Sequence, residues 1–192
     1  AHAFRFFSSF GQDVRPTGEP GSPSVMPFNY GTPDGYEFYL KTGPLQNFDE
    51  KFFRGKIEYW KELIDNDTYS PYWKARSIRQ HMKAVKPAML TVGGWFDAED
   101  LFGALRLYSS AEEQSLGATN MIVMGPWIHG GWSRGNGDRL GPVPFNSKTS
   151  VFFRDNIEFL FFLFHLKGRG EPKLPAAYMF HAGRNERHKH SE

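Results

Sequence analysis

Two side chains capable of acid–base chemistry each follow a short apolar segment of the sequence. Asp97 comes just after the run 88–92 and its Gly-Gly pair, and His129 comes just after the run 121–124 and its Gly-Pro pair. A carboxylate that accepts a hydrogen bond from imidazole Nδ1 fixes the tautomer, stabilises the imidazolium and leaves Nε2 free to take a proton from a serine hydroxyl. The pair therefore indicates acyl-transfer chemistry if the fold brings the two loops together.

The segment 88–124 is expected to bring them together. Its two apolar runs predict buried strands, and Leu101, Leu105 and Tyr108 mark a helix between them that ends near Gln114. A strand–helix–strand unit of this length permits a right-handed crossover, which makes the two strands parallel neighbours. Their carboxyl ends then lie about 4.8 Å apart on one edge of the sheet, where open α/β sheets bind ligands.

Helix capping is a simpler role for the acidic residues of this segment. Asp97, Glu99 and Asp100 precede or open the helix, where carboxylates accept from free backbone N–H groups and complement the helix dipole. A single histidine in a Gly-Pro-Trp loop is also more often a packing residue than a catalyst. The spacing alone leaves the structural and the catalytic roles equally open.

A nucleophile for the Asp–His pair is not evident in the sequence. Residues 131–135 read Gly-Trp-Ser-Arg-Gly and fit the G-x-S-x-G pattern, but Ser133 lies several residues after the strand, and a Gly-rich stretch follows it instead of a helix. Ser133 also follows His129, whereas the hydrolase order is Ser, Asp, His. We therefore expect Ser133 to bond local backbone, and we expect the nucleophile to lie before Ala1.

The amino-acid composition argues against several classes of function for this protein. The 192 residues carry 23 Lys and Arg against 21 Asp and Glu, with both signs interspersed, so no basic face indicates a nucleic-acid partner. The absence of cysteine excludes disulfides, thiolate zinc sites and a cysteine nucleophile. The longest apolar run, 159–164, is far shorter than the roughly 20 residues of a membrane span. His181, His188 and His190 lie near a charged chain end, and we expect no metal site there.

The other elements follow from periodicity and turn residues. An aromatic stripe of Phe53, Ile57 and Trp60 predicts a helix, and Pro71 opens a second one. In chain order we expect an irregular excursion over 11–44, helices over about 49–64 and 71–86, a helix over 150–167 that is buried on most sides toward its end, a strand near 176–180 and a frayed end over 184–192.

Two segments resemble a known family of serine hydrolases. Residues 92–103 read VGGWFDAEDLFG and residues 124–132 read MGPWIHGGW, and both look like the acid and histidine segments of the X-prolyl dipeptidyl peptidase and cocaine-esterase-type hydrolases. Within that group they are most similar to the α-amino acid ester hydrolases. The resemblance implies that Asp97 is the triad acid and His129 the triad base. It also implies that Glu99 and Asp100 belong to a carboxylate cluster that binds the α-ammonium group of the substrate.

The resemblance covers most of the chain and implies a partial α/β-hydrolase fold of the α/β class. Residues 1–87 would be the irregular excursion and a helical cap segment, 88–170 the C-terminal part of the hydrolase core, and 171–192 the start of a truncated β-sandwich, or jelly-roll, domain. The family's serine, its oxyanion donors and a third cluster carboxylate would precede Ala1, so this chain alone is expected to be inactive.

The function implied is acyl transfer or hydrolysis of α-amino acid esters, and of related β-lactam amides, through a Ser-His-Asp triad. The alternatives are an X-Pro dipeptidyl peptidase or a general carboxylesterase on the same scaffold, or a non-catalytic binding fragment. We expect a small ester, amide or peptide as partner, and no cofactor, nucleic acid or membrane span. Family relatives suggest a periplasmic or secreted protein whose full-length form self-associates.

Overall fold

The chain forms two compact units, Ala1–Arg76 and Ser77–Glu192. The computed structural model describes residues 4, 7, 8, 28–170, 174–181 and 186–190. Among these residues, no helix combines the length and the hydropathy that crossing a bilayer requires. The domain boundaries expected after residues 87 and 170 stay predictions.

The first unit is helical. In chain order its described elements are α1 (Gly35–Thr42), the single turn α2 (Gln46–Phe48) continued by a π-helical turn (Asp49–Phe53), α3 (Glu58–Asp65) and α4 (Pro71–Arg76).

An aromatic cluster forms the core of this unit. The ring of Phe4 is buried, and its centroid lies 4.9 Å from that of Phe48, 5.2 Å from that of Phe53 and 5.7 Å from that of Phe38. Trp60 completes the buried cluster, at 5.2 Å from Phe53 in an edge-to-face arrangement. Each aromatic side chain removes a large apolar area from water, so this cluster dominates the packing of the unit.

Helix α1 corrects the expectation of an irregular excursion over 11–44. The turn residues Pro33-Asp34-Gly35 cap a helix, because the Asp34 carboxylate accepts from the backbone N–H groups of Tyr36 and Glu37 at 2.8 and 3.4 Å. Residues 11–27 of the excursion lie outside the described part of the chain.

The two helices expected over 49–64 and 71–86 are both interrupted. Arg54 and Gly55 adopt left-handed backbone angles, φ 54° and 72°, which end the π-helical turn before α3 begins. Ser77 is extended, with ψ 108°, so α4 stops at Arg76 and a separate 3₁₀ turn follows at Ile78–His81 in the second unit. The predicted stripe is correct in its burial, since Phe53, Ile57 and Trp60 all lie in the core.

The second unit is built on a mostly parallel sheet. Its elements in chain order are β1 (Met89–Gly94), α5 (Leu101–Gln114), β2 (Asn120–Gly125), a 3₁₀ turn (Gly131–Ser133), β3 (Arg139–Leu140), β4 (Val143–Pro144), α6 (Thr149–Phe153), a π-helical turn (Arg154–Glu158), α7 (Phe159–Lys167), β5 (Ala177–His181) and β6 (Glu186–His190). The sheet order is β1-β2-β5-β6, with β1, β2 and β5 parallel and β6 antiparallel to β5.

The predicted β1–α5–β2 unit is confirmed. The strands pair in parallel from Met89 opposite Asn120 to Gly94 opposite Gly125, so both end at the same edge of the sheet. Every residue of β2 is buried, as expected for a central parallel strand. The fold is therefore mixed α/β, as the sequence predicts.

The C-terminal elements agree with the sequence in position but differ in two respects. Helix α7 is not buried on most sides: Phe159 is 60% and Leu166 72% exposed, and Phe161 is the buried residue of this helix. The expected frayed end contains strand β6, which pairs with β5. Strand β5 itself lies where the sequence predicts it.

Candidate active site

The loop after β1 determines the position of Asp97. Its backbone N–H donates to the carbonyl of Gly94 at 3.1 Å, which closes a turn directly after the strand. Its side-chain Oδ1 accepts from the backbone N–H groups of Glu99 and Asp100 at 2.8 and 3.0 Å. These bonds close the turn just before α5 and fix the carboxylate of Asp97 there. The expected helix cap is not formed, because the N-cap residue of α5, Asp100, makes no side-chain cap hydrogen bond.

The second oxygen of the same carboxylate meets His129. Oδ2 of Asp97 lies 3.0 Å from Nδ1 of His129. An ionised carboxylate can only accept a hydrogen bond, so the imidazole donates from Nδ1, and Nε2 is the nitrogen that can exchange a proton elsewhere. One carboxylate thus serves both roles, with Oδ1 holding the turn and Oδ2 orienting the imidazole.

Backbone hydrogen bonds join the two loops that carry Asp97 and His129. The N–H of Trp95 donates to the carbonyl of Gly125 at 2.8 Å, and the N–H of Phe96 donates to that of Trp127 at 3.1 Å. Gly94 permits this approach, because a Cβ there would lie 2.8 Å from the carbonyl carbon of Trp127, closer than real Cβ atoms come to backbone. The parallel register therefore continues beyond the strands as far as the site.

The couple is electrostatically asymmetric. The Asp97 side chain is 1% exposed and the His129 side chain 46%. Burial raises the pKa of Asp97, but the backbone hydrogen bonds from Glu99 and Asp100 and the bond from His129 outweigh it, so the pKa falls below its ordinary value. The hydrogen bond to Asp97 is the main cause of the raised pKa of His129. The negative charges of Asp97, Glu99 and Asp100 raise this pKa further, and burial lowers it by a smaller amount.

Glu99 and Asp100 lie beside the imidazole on its solvent side. Oε2 of Glu99 is 3.9 Å from Nε2 of His129, and Oδ2 of Asp100 is 3.7 Å from Nδ1. Their side chains are 38% and 67% exposed, so both carboxylates face solvent at the rim of the site. The structure thus brings all four predicted site residues together at one sheet edge, with three acids around one base.

The other candidates from the sequence lie elsewhere. Ser133 donates its hydroxyl to the carbonyl of Gly130 at 3.0 Å, as expected for a loop residue. The rings of His181 and His188 are 4.2 Å apart on strands β5 and β6. Within the described part of the chain, no group of three or more His, Asp or Glu side chains is arranged to hold a metal ion.

Sequence reasoning missed the residues that hold the loop after β2. Thr149 Oγ1 accepts from the indole Nε1 of Trp127 at 2.9 Å and donates to the carbonyl of Gly137. Between Trp127 and Gly137 in the chain, the carbonyl of Gly130 accepts from Arg134 and the carbonyl of Trp132 accepts from Arg154. The available signal was the glycine-rich stretch 130–137, whose many backbone carbonyls need donors once the chain is folded.

Comparisons with known proteins agree with this architecture. The family model of the X-Pro dipeptidyl-peptidase (S15 family) matches residues 35–131. An aminopeptidase from the marine sediment archaeon Thaumarchaeota archaeon is similar at 28% sequence identity and a TM-score of 0.81, over 89% of this chain and 28% of that chain. A selenomethionine-labelled α-amino acid ester hydrolase is similar at 22% identity and a TM-score of 0.83, over 98% of this chain and 30% of that chain. No curated protein sequence matches significantly.

The chain spans less than a third of the length of either solved protein. Its mixed α/β architecture with a mostly parallel sheet matches the fold of the α-amino acid ester hydrolase, which confirms the predicted fold class. The matched family segment contains β1, α5, β2 and all four site residues, and it covers half of the chain. The chain belongs to the X-Pro dipeptidyl-peptidase family, S15.

Proposed function

We propose that this chain supplies the acid and the base of a serine hydrolase. Asp97 orients the imidazole, His129 acts as general base and then as general acid, and the nucleophilic serine comes from a segment outside this chain. The observation that carries the proposal is the 3.0 Å contact between Nδ1 of His129 and Oδ2 of Asp97, at the sheet edge where such folds bind ligands.

The reaction follows from Nε2 of His129, the ring nitrogen that does not bond Asp97. As the serine oxygen attacks the substrate carbonyl carbon, Nε2 takes the hydroxyl proton, and the Asp97 carboxylate stabilises the imidazolium. The imidazolium then returns that proton to the departing alcohol or amine, which leaves an acyl-enzyme. A water molecule then attacks the acyl-enzyme as His129 takes its proton. The imidazolium returns this proton to the serine oxygen as the ester bond breaks, which regenerates the serine and releases the carboxylic acid.

Glu99 and Asp100 support a substrate that carries an α-ammonium group. In an α-amino acyl compound the ammonium is one carbon away from the reacting carbonyl, so its binding site must lie close to the catalytic imidazole. The two carboxylates are 3.9 and 3.7 Å from the ring nitrogens of His129. A cation placed among them also relieves the repulsion between like charges. We therefore propose α-amino acid esters, and related β-lactam amides, as substrates.

A peptide substrate is the second candidate. The family is described by its X-Pro dipeptidyl peptidase activity, and one similar solved protein is an aminopeptidase. An aminopeptidase substrate carries its ammonium group one carbon from the reacting carbonyl, as an α-amino ester does, so the same carboxylates would bind it. In an X-Pro substrate the ammonium group is one residue further from the reacting carbonyl, so Glu99 and Asp100 would have to bind it from a greater distance. The two candidates differ in the leaving group, an alcohol or an amine, whereas a general carboxylesterase would need no ammonium site at all.

The test uses the protein with the serine-bearing segment restored. A fluorophosphonate probe is expected to label the wild type, and His129→Ala is expected to abolish labelling and turnover; unaltered turnover in that variant would overturn the proposal. Turnover is compared on an amino ester, its des-amino analogue and an X-Pro anilide, which separates esterase from peptidase. A protein that binds these compounds but neither reacts with the probe nor turns them over would be a binding module.

The ammonium site is tested by the double variant Glu99→Gln with Asp100→Asn. We expect it to lose far more activity on the amino ester than on the des-amino ester. A matched control is Asp155→Asn with Glu158→Gln, which removes two charges from the π-helical turn after α6. Equal losses on both esters would contradict the ammonium site without affecting the triad.

A further inference from the structure

The loop that carries His129 is held by side chains and helix-end groups instead of a strand ladder. Between residues 129 and 137 it contains one short 3₁₀ turn, and Gly130 and Gly135 adopt left-handed angles, φ 67° and 58°. Backbone carbonyls in such a segment require donors from elsewhere. The carbonyls of Gly131, Asn136 and Gly137 accept from the first residues of α6, namely the Ser150 hydroxyl at 3.0 Å, the Ser150 N–H at 3.1 Å and the Thr149 N–H at 3.2 Å.

Arg134 binds the start of this loop. Its guanidinium donates from Nη2 to the carbonyl of His129 itself and from Nε to the carbonyl of Gly130 at 3.2 Å. Gly130 leaves room for this contact, because a Cβ there would lie 2.6 Å from Nη2 of Arg134. The planar fork of arginine spans two neighbouring carbonyls, which a single ammonium group does less well.

Arg154 binds the second half of the loop from a different element. It lies in the π-helical turn after α6, and its Nη1 and Nη2 donate to the carbonyls of Trp132 and Gly135 at 3.0 and 2.9 Å. Phe153 and Ile157 on either side of it are buried, with 1% and 2% exposure, so the position from which the arginine reaches out is rigid. Both of these hydrogen bonds go to the backbone of the loop and neither goes to Asp97 or the imidazole.

We propose that Arg134 and Arg154 are positioning residues, which act on the chemistry of this site only through the loop that presents His129. This inference deepens the proposed function and rests on it. The Nδ1–Oδ2 contact joins two separate loops, and the His129 side of that contact depends on a segment whose carbonyls these two guanidinium groups fix. Without them the imidazole loses its preferred position relative to Asp97.

The experiment measures the His129 ring by NMR in the chain as it stands, so it does not depend on the nucleophile. The variants are Arg134→Gln and Arg154→Gln, together with Arg154→Lys. The groups that face the imidazole, Asp97, Glu99 and Asp100, stay in place in all of them. The matched control is Arg76→Gln, because Arg76 also donates to a backbone carbonyl, that of Tyr72 at 3.2 Å, but in the first unit.

We expect both glutamine variants to lower the pKa of His129 and to weaken the Nδ1 proton signal, while Arg76→Gln leaves both unchanged. Arg154→Lys is expected to behave as Arg154→Gln, since one ammonium group does not bridge two carbonyls three residues apart. Arg134 is exposed, so its variant will fold even where Arg154→Gln does not. An unchanged His129 signal in Arg134→Gln, or full rescue by Arg154→Lys, would overturn the proposal.

Kinetics on the protein with its serine restored separate this proposal from the proposed function. A positioning role lowers kcat by about 10- to 100-fold, as small misplacements of catalytic groups do, and leaves KM nearly unchanged, because Glu99 and Asp100 belong to the other loop. The acidic limb of the pH profile is expected to move to lower pH. Absence of any hydrolase activity in the wild type would refute the function but leave the NMR result on the two arginines standing.

Discussion

Gly94→Ala is the substitution whose effect on the site follows most directly from the structure. The new Cβ would overlap the carbonyl oxygen of Trp127, which is its nearest neighbour, and would lie 2.8 Å from the carbonyl carbon. Carbon atoms in contact prefer about 3.5–4.0 Å, so the backbone of the loop after β2 must retreat by about 1 Å. The neighbouring backbone cannot rotate away as a side chain would, and overpacking of this kind costs about 1–3 kcal/mol of stability.

The same displacement acts on the acid–base couple. A shift of about 1 Å in the His129 loop would lengthen the Nδ1–Oδ2 separation beyond the roughly 3.2 Å limit of a good hydrogen bond. We therefore expect Gly94→Ala to lower both the free energy of unfolding, measured by urea titration, and the pKa of His129, measured by NMR.

Gly103→Ala is the matched control for this substitution. Gly103 lies in α5 of the same unit, and a Cβ there would be 3.6 Å from Oδ1 of Asp100, an ordinary contact. Alanine in a helix interior is expected to stabilise the protein by about 0.5–1 kcal/mol and to leave His129 unchanged. If Gly94→Ala behaves like Gly103→Ala in both measurements, the packing argument for the two loops is wrong.

Three further predictions concern charge and packing. The lowered pKa of Asp97 contributes stability that is present above about pH 4 and is lost as the pH falls through the folded-state pKa of Asp97. The raised pKa of His129 contributes stability that is present below about pH 6.5 and is lost as the pH rises through the folded-state pKa of His129. The stability difference between wild type and Asp97→Asn, followed by urea unfolding at several pH values, should therefore be largest between these limits, and a flat difference would contradict it. Glu99→Gln should lower the pKa of His129 in an NMR titration, because it removes a nearby negative charge. An unchanged pKa would show that the charge of Glu99 does not act on the imidazole. Phe153 lies in the core against Trp127, so Phe153→Ala should lower the free energy of unfolding by about 3–5 kcal/mol. Phe159 is 60% exposed, so Phe159→Ala should change it by no more than about 0.5 kcal/mol in the same urea assay. Similar losses for both variants would refute the burial assignment.

The β1–α5–β2 unit and its Asp–His contact could be predicted because each step is local or topological. Short apolar runs closed by glycine predict strands, a helical period between them predicts the crossover, and parallel neighbours must end at the same edge. Asp97 and His129 therefore meet for a reason that the sequence contains. The two candidate roles of Asp97 could not be separated from the sequence, and the structure shows why: its two carboxylate oxygens face different partners.

The missed elements depend on information outside their own segments. Asp34 before Gly35 suits either a turn or a helix cap, and only the packing of Phe38 in the aromatic core selects the helix. Strand β6 has a polar sequence and exists by pairing with β5. The role of Arg154 could not be predicted for the same reason, because a donor 19 residues away from the carbonyl of Gly135 leaves no local pattern.

The hydrogen bond between Asp97 and His129 is tested most directly by an NMR titration of the His129 ring in the wild type and in Asp97→Asn. The structure predicts an Nδ1-protonated tautomer and a pKa above the ordinary 6.5 in the wild type, and a fall of that pKa when the carboxylate becomes an amide. A wild-type pKa at or below 6.5 that does not respond to Asp97→Asn would contradict the account.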